Sequence, residues 1–247
     1  TPAFTVDKTC INQISEFTDA STIATGTITG WTWDFDDLGA TSTAQNPTHQ
    51  FSVSGTYQVK LVVTSNLGCK DSITVPVVID PKPTVDFTFA NLCLNNSTQF
   101  TDGSTIGSGA VNTWRWDFDG LGSSVLQNPS FTFPAAGTYD VKLVSGSGAG
   151  CLDSITKQVV IQALPTADAG PDQNICPGSS VQIGVAPSAG FTYSWTPTAG
   201  LSNANISIPI ATPTSPTTYT VVITETATGC FDDAVMNVFF NSVPTPA

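Results

Sequence analysis

Three sets of side chains in this 247-residue sequence have types and spacings that could do chemistry: six cysteines, a recurring group of aspartates, and the tryptophans beside them. Cys10, Cys69, Cys93, Cys151, Cys176 and Cys230 could form disulfides or ligate zinc. Zinc is the weaker reading, because there is no Cys-x-x-Cys and His49 is the only histidine. Asp34, Asp36 and Asp37, and again Asp117 and Asp119, cluster where an extended segment enters a loop. A hard cation such as Ca²⁺ could use these carboxylates together with backbone carbonyls. The same residues could instead cap turn backbone and face water. Asp168 and Asp172 form a second acidic pair that could meet a cation at a junction. Trp31 and Trp114, near the start of their segments, could offer a stacking platform to a sugar ring, although burial is the commoner fate of such residues.

No catalytic constellation is legible. There is no Ser-His-Asp arrangement, and no glycine-rich phosphate loop opens a helix. His49 aligns with Phe131, and a position that accepts Phe is a packing position. The carboxylates recur and sit at strand ends with no evident cleft, which argues against a paired-carboxylate glycosidase. The expectation is a protein that is not an enzyme and needs no cofactor, Ca²⁺ apart.

The elements that carry these residues repeat. Trp31-Thr32-Trp33-Asp34-Phe35-Asp36 returns as Trp114-Arg115-Trp116-Asp117-Phe118-Asp119. Gln45-Asn46-Pro47 returns at Gln127, Gly55-Thr56-Tyr57 at Gly137, Gly68-Cys69 at Gly150 and Asp71-Ser72-Ile73-Thr74 at Asp153. A period of about 80 residues is too long for a solenoid unit and fits whole domains in series. A third copy is degenerate: Tyr193-Ser194-Trp195, Thr218-Tyr219-Thr220-Val221 and Gly229-Cys230-Phe231-Asp232 stand in the matching order. The expected domains are therefore 1–80, 81–163 and 164–247. Two cysteines fall in each, so a repeat that satisfies itself predicts the pairs Cys10–Cys69, Cys93–Cys151 and Cys176–Cys230. Each staple would contribute roughly 4 kcal/mol to a domain too small for a large core. Paired cysteines place the chain in an oxidising compartment outside the cytoplasm.

Helix signals are nearly absent. Tyr57, Val59, Leu61 and Val63 alternate with polar neighbours, and Gly, Pro and Asn punctuate short runs, the pattern of an antiparallel β-sandwich of about seven strands. In the first domain strands are expected near 3–8, 13–18, 28–36, 43–51, 56–64 and 71–79, with one more unplaced. Period-2 spacing puts Trp31, Trp33 and Phe35 on one face and Thr32, Asp34 and Asp36 on the other. Asp80-Pro81-Lys82-Pro83-Thr84 and Gln162-Ala163-Leu164-Pro165-Thr166 read as semi-rigid proline-bearing junctions. Val243-Pro244-Thr245-Pro246-Ala247 reads as another, so both ends look cut from a longer array.

With 19 acidic and 7 basic residues the net charge is −12, a field that repels nucleic acid and anionic membranes. No apolar run approaches the roughly 20 residues of a membrane helix. The Thr/Val-rich strands carry few charges, and unprotected edges could pair with neighbouring filament subunits.

Trp33-Asp34-Phe35-Asp36, Asn46-Pro47-Thr48-His49 and Gly55-Thr56-Tyr57-Gln58-Val59 resemble the PKD (polycystic kidney disease) domain motifs W-D-F-G-D-G, N-P-x-H-x-Y and G-x-Y-x-V-x-L-x-V. The loop after Asp36 departs from the motif, and the third unit looks like the PKD-like or Ig-like modules that follow such repeats. Its opening, Ala167-Asp168-Ala169-Gly170-Pro171-Asp172, is similar to modules of giant Bacteroidetes gliding-motility and surface adhesins exported by the type IX system. The resemblance implies an all-β fold of three tandem Ig-like antiparallel sandwiches in an extended array. It implies a stalk in a cell-surface adhesin or filament, with further repeats of the same chain as partners. Polysaccharide or Ca²⁺-dependent adhesion and an accessory region of a secreted hydrolase are the alternatives it leaves. It also implies that Ser72 and Ser154, in Asp-Ser-Ile, match the O-glycosylation pattern of that phylum; otherwise they are solvent-facing strand residues. Asn95, Asn96 and Asn205 begin N-x-S/T triplets that carry little meaning in a bacterium.

Overall fold

The computed structural model describes residues 1–242, and the expected junction at Val243–Ala247 lies outside them. Every regular element among the described residues is a strand. The first repeat comprises β1 (Phe4–Asp7), β2 (Ile14–Asp19), β3 (Ile28–Asp34), β4 (Thr41–Ser42), β5 (Thr48–Gln50), β6 (Gly55–Ser65) and β7 (Lys70–Ile79). They form two sheets, ordered β1-β2-β5 and β4-β3-β6-β7. Of the expected strand at 43–51 only β5, Thr48–Gln50, forms; β4 precedes that range at Thr41–Ser42 and lies in the other sheet, β4 pairing with β3 and β5 with β2. Pro47 has no N–H to donate and sits where the chain changes sheet.

The second repeat comprises β8 (Phe87–Ala90), β9 (Thr98–Asp102), β10 (Val111–Phe118), β11 (Ser123–Ser124), β12 (Ser130–Phe131), β13 (Gly137–Ser147) and β14 (Leu152–Ile161). Its sheet orders, β12-β9-β8 and β11-β10-β13-β14, reproduce those of the first. The remaining strands are β15 (Gln173–Ile175), β16 (Val181–Gln182), β17 (Phe191–Thr196), β18 (Ile210–Ala211), β19 (Thr217–Glu225) and β20 (Phe231–Phe240). They form one sheet ordered β15-β20-β19-β17 and a small pair, β16-β18. The fold is all-β, in tandem Ig-like sandwiches. Packing density groups the chain into two compact units. One holds Thr1–Thr88, Phe100–Pro129 and Asp140–Lys157; the other holds Phe89–Gln99, Ser130–Tyr139 and the chain from Gln158 onward.

Alternation sets the cores. Phe17, Trp33, Phe35, Phe51, Val59 and Leu61 are buried in the first repeat, with Trp31 packed at the margin. The aromatic set recurs with its geometry: Phe4 meets Trp33 edge-on at 5.1 Å, and Phe87 meets Trp116 at 5.1 Å. In the third segment Trp195, Tyr219, Val221, Met236 and Val238 form the core. Trp195 is the counterpart of the other two buried tryptophans. Trp33, Trp116 and Trp195 donate their indole N–H to the carbonyls of Ala44, Leu126 and Ile206, each at 2.9 Å. The tyrosines differ. Tyr57 and Tyr139 donate to carbonyls four residues upstream, Val53 and Ala135, whereas Tyr219 is buried and reaches Ala199.

One glycine is fixed by space as well as by backbone. Gly184 lies at φ +90°, and a Cβ there would stand 2.0 Å from the Ser207 carbonyl oxygen and 3.0 Å from the Trp195 ring. Gly184→Ala is expected to destabilise the third segment by at least about 2 kcal/mol, because both strain and clash act at once. Urea unfolding followed by tryptophan fluorescence checks it.

Candidate functional site

The cysteines form a staggered set of staples. Cys10 is bonded to Cys151 and Cys93 to Cys230, with Cα separations of 5.6 and 5.5 Å, and each bond lies within one compact unit. Cys69 and Cys176 are free and exposed. This overturns all three expected pairs, Cys10–Cys69, Cys93–Cys151 and Cys176–Cys230. The reason is strand length. Cys69 closes the hairpin just before β7, whereas Cys10 bridges in parallel to Asp80, just past the end of β7. Ten residues of strand at about 3.3 Å each hold the two cysteines roughly 30 Å apart, and a disulfide needs Cα atoms within about 7 Å. Cys151 precedes β14 while Cys93 bridges to Gln162 just past it, so the second pair fails for the same reason. Cys230 precedes β20, whose far end pairs with the strand that leads into Cys176. A repeated chain can pair cysteines from one copy to the next, and four of the six here are paired in that way.

A second recurring constellation centres on Asp19 and Asp102, which sequence reasoning did not single out. Asp19, at the end of β2, accepts the Trp31 indole N–H at 2.7 Å and the Gln45 amide at 3.3 Å through Oδ2, and the Ser21 backbone N–H at 3.0 Å through Oδ1. Asp102 accepts from Trp114 at 2.8 Å, Gln127 at 3.2 Å and Ser104 at 3.0 Å. Asn46 and Asn128 in turn accept the backbone N–H of Asp19 and Asp102. The signal was present as Phe17-Thr18-Asp19-Ala20-Ser21 against Phe100-Thr101-Asp102-Gly103-Ser104. The knot ties the strand change near Pro47 to the aromatic strand, and it commits both indole N–H groups inside the fold.

Burial pushes the Asp19 carboxyl upward, but the hydrogen bonds from Ser21, Trp31 and Gln45 outweigh it and hold the group below its ordinary value. A depressed folded value stabilises the fold above the unfolded value near about 4, and this stabilisation is lost as pH falls through the folded value. Asp19→Ala is expected to cost about 1–2 kcal/mol at pH 7. The difference from wild type should begin to shrink in urea melts as pH falls below about 4, and should be lost only once pH passes below the depressed folded value, where Asp19 gives up its carboxylate.

The other aspartates serve turns. Asp34 accepts the Asp36 N–H and Asp36 the Gln58 N–H, and Asp117 accepts the Gly120 N–H. Asp36 and Asp119 have positive φ, the left-handed turn conformation that Asp tolerates. Asp168 accepts the Gly170 N–H, whereas Asp172 holds Asn237 by its backbone and side-chain nitrogens. Among the described residues no three His, Cys, Asp or Glu side chains converge into a group that could hold a metal ion. His49 stacks on Phe35 at 4.5 Å, meets Phe51 edge-on and bonds to Asp37 at 2.8 Å, so it is a packed ring. Ser72 and Ser154 are exposed near the starts of β7 and β14, and each donates its backbone N–H to the preceding aspartate. A shallow groove of about 420 Å³ runs past Trp114, Arg115, Val125 and Leu152.

Two-sheet sandwiches carrying the W-D-F strand, the Gly-Thr-Tyr strand and the Asp–Trp knot define a class of Ig-like module. The PKD domain family matches residues 2–79 and 80–163, and the chain belongs to that family. It is similar to the pre-pro-metalloprotease PrtV of Vibrio cholerae, at 28% identity over 144 residues, 57% of this chain and 15% of that protein. It is also similar to a microbial collagenase of Vibrio alginolyticus, at 44% identity over 67 residues, 27% of this chain and 8% of that protein. The chain thus matches only a small part of each relative's length. Among solved structures, the PKD1 domain of Vibrio anguillarum Epp aligns over 34% of this chain and 98% of its own, at 23% identity and a TM-score of 0.32.

Proposed function

We propose that this chain is a non-catalytic extracellular spacer: three sandwiches, bounded near residues 80 and 163, that hold other parts of a secreted or surface protein apart. The observation that carries this is the stagger of the disulfides, each of which joins a cysteine of one repeat to a cysteine of the next. A staple within a domain protects that domain, whereas a staple across a junction protects the connection, which is what a spacer under tension needs. The disulfides fit an oxidising, extracellular setting. A stalk in a cell-surface adhesin or filament is the finer form of this reading, supported by the likeness of the Ala167–Asp172 segment to modules of such proteins. Single-molecule extension of the oxidised and reduced chain tests it. A spacer must stay short under load while its disulfides are intact.

A second reading is an accessory region of a secreted hydrolase, favoured by the metalloprotease and collagenase among the relatives. The two share the extracellular, non-catalytic role and differ in what lies beyond this segment. Adhesive binding of a polysaccharide would use the groove beside Trp114. Trp114→Ala should then abolish a glycan-array signal that the wild-type chain gives, and a blank wild-type array would remove this reading.

A further inference from the structure

The staples are built from two half-sites, and each recurs three times. In the first, a cysteine follows a residue whose carbonyl accepts the N–H of the residue just past its own sandwich's last strand. Asp80 donates to Thr9 beside Cys10 at 2.7 Å, Gln162 to Leu92 beside Cys93 at 2.7 Å, and Asn241 to Ile175 beside Cys176 at 2.8 Å. In the second, a cysteine closes a hairpin. Ser65, Ser147 and Glu225 donate their N–H to the carbonyls of Cys69, Cys151 and Cys230, each at 2.9 Å. Gly68, Gly150 and Gly229, just before those cysteines, share positive φ values of 81°, 84° and 75°. Cys10 and Cys93 close on the hairpin cysteine one repeat ahead. The two thiols left over, Cys176 and Cys69, are one of each kind, and both are exposed.

We propose that Cys176 and Cys69 are the halves of a third staple of the same design, closed between two copies of this chain in head-to-tail order. A second copy is the fitting partner because each molecule carries both complementary half-sites. A symmetric Cys69–Cys69 bond would join two hairpin half-sites, a combination neither existing staple uses. A heterologous contact of this kind does not close on itself, so joining continues into a linear chain. Two protein thiols become one S–S bond, and a small-molecule disulfide takes up the two electrons and two protons. One thiolate attacks oxidised glutathione and releases the first glutathione thiol, and the second thiolate displaces the other from the mixed disulfide. This link deepens the spacer reading, on which it rests, by naming what the spacer is joined to.

The 247-residue chain with its two staples, confirmed by peptide mapping, is incubated with oxidised glutathione at about 0.15 M salt, which screens the net charge of −12 between copies. Non-reducing electrophoresis should show a ladder of covalent multimers, and mass spectrometry should find Cys69 and Cys176 peptides joined. Cys69→Ser alone and Cys176→Ser alone should lose the ladder, while an equal mixture of the two variants should restore a dimer and nothing larger. The link is refuted if wild type stays monomeric, if the free cysteines pair within one chain, or if either variant alone dimerises as readily as the mixture. Refutation here leaves the extension test of the spacer reading untouched, because that test uses monomers and the other four cysteines.

Discussion

Stretched between Cys10 and Cys230, the oxidised chain will reach about 200 Å when fully unfolded, and the reduced chain about 750 Å, at roughly 3.3–3.6 Å per residue. The fourfold difference follows from interlocking loops. Cys10–Cys151 closes a loop with a sequence separation of 141, and Cys93–Cys230 one of 137. The stretch from Cys93 to Cys151 belongs to both. The shortest covalent route from Cys10 to Cys230 crosses both disulfides and only that shared stretch, about 60 residues long. Cys151→Ser or Cys93→Ser removes one crossing and leaves a route of about 80 residues, so either variant should extend only to about 280 Å. Closing a loop of 141 residues also contributes about 5 kcal/mol on the chain-entropy account, less for the second staple because the loops overlap. Optical-trap extension with handles near Thr1 and Ser242, in the presence and absence of reductant, reads the lengths. Equal extension in both conditions would remove the mechanical role. Extension alone separates staggered from within-repeat pairing poorly, so peptide mapping of Cys10 to Cys151 accompanies it.

The same disulfides mark where sequence reasoning stopped. Strand pattern, aromatic burial and the two PKD repeats were legible because alternation and a recurring W-D-F segment fix local structure. Pairing was not, because two cysteines per repeat point to closure within a copy, whereas closure onto the next copy leaves Cys69 and Cys176 free. Strand length could have decided it: Cys69 immediately precedes β7 and Asp80 immediately follows it, so a cysteine beside Asp80 cannot reach Cys69. The contraction of 43–51 to β5, with β4 standing before it in the other sheet, was hidden because strands of two and three residues are too short to show a period. The Asp–Trp knot recurs in sequence as Phe-Thr-Asp-x-Ser-Thr-Ile at Phe17 and Phe100, but neither copy shows that its aspartate meets an indole 12 residues on, because that contact is made only when β2 and β3, or β9 and β10, pack together. In the denser acidic run at Asp34–Asp37, Asp34 and Asp36 accept backbone N–H groups and Asp37 bonds to the His49 ring, so the run is spent inside the fold.

Replacing Trp33 with alanine should unfold the first sandwich, and replacing Trp195 should do the same to the third, although the third lacks the W-D-F motif. Trp33 is fully buried against Phe4, Phe17 and Phe35, and Trp195 is 1% exposed. Truncating a buried Trp costs about 3–5 kcal/mol. Each substitution also strands a carbonyl, Ala44 or Ile206, that the indole N–H had satisfied, which adds about 1 kcal/mol. A sandwich of about 80 residues has a total stability of only about 4–12 kcal/mol. The neighbouring aromatic in each strand is the control. Trp31 and Tyr193 are only partly buried, and their polar atoms meet Asp19 and the Ser188 N–H near the surface, so Trp31→Ala and Tyr193→Phe should cost about 1–2 kcal/mol or less. Hydrogen exchange read by mass spectrometry resolves the domains. Trp33→Ala should lose protection across residues 4–79 while β17, β19 and β20 keep theirs, and Trp195→Ala should show the reverse. The staples hold the unfolded sandwich in the chain but cannot restore its core, since they act on the unfolded state and leave the cavity unfilled. If Trp195→Ala proved no more costly than Tyr193→Phe, the third segment would not be a sandwich organised around a buried indole, and its equivalence to the two PKD repeats would fall.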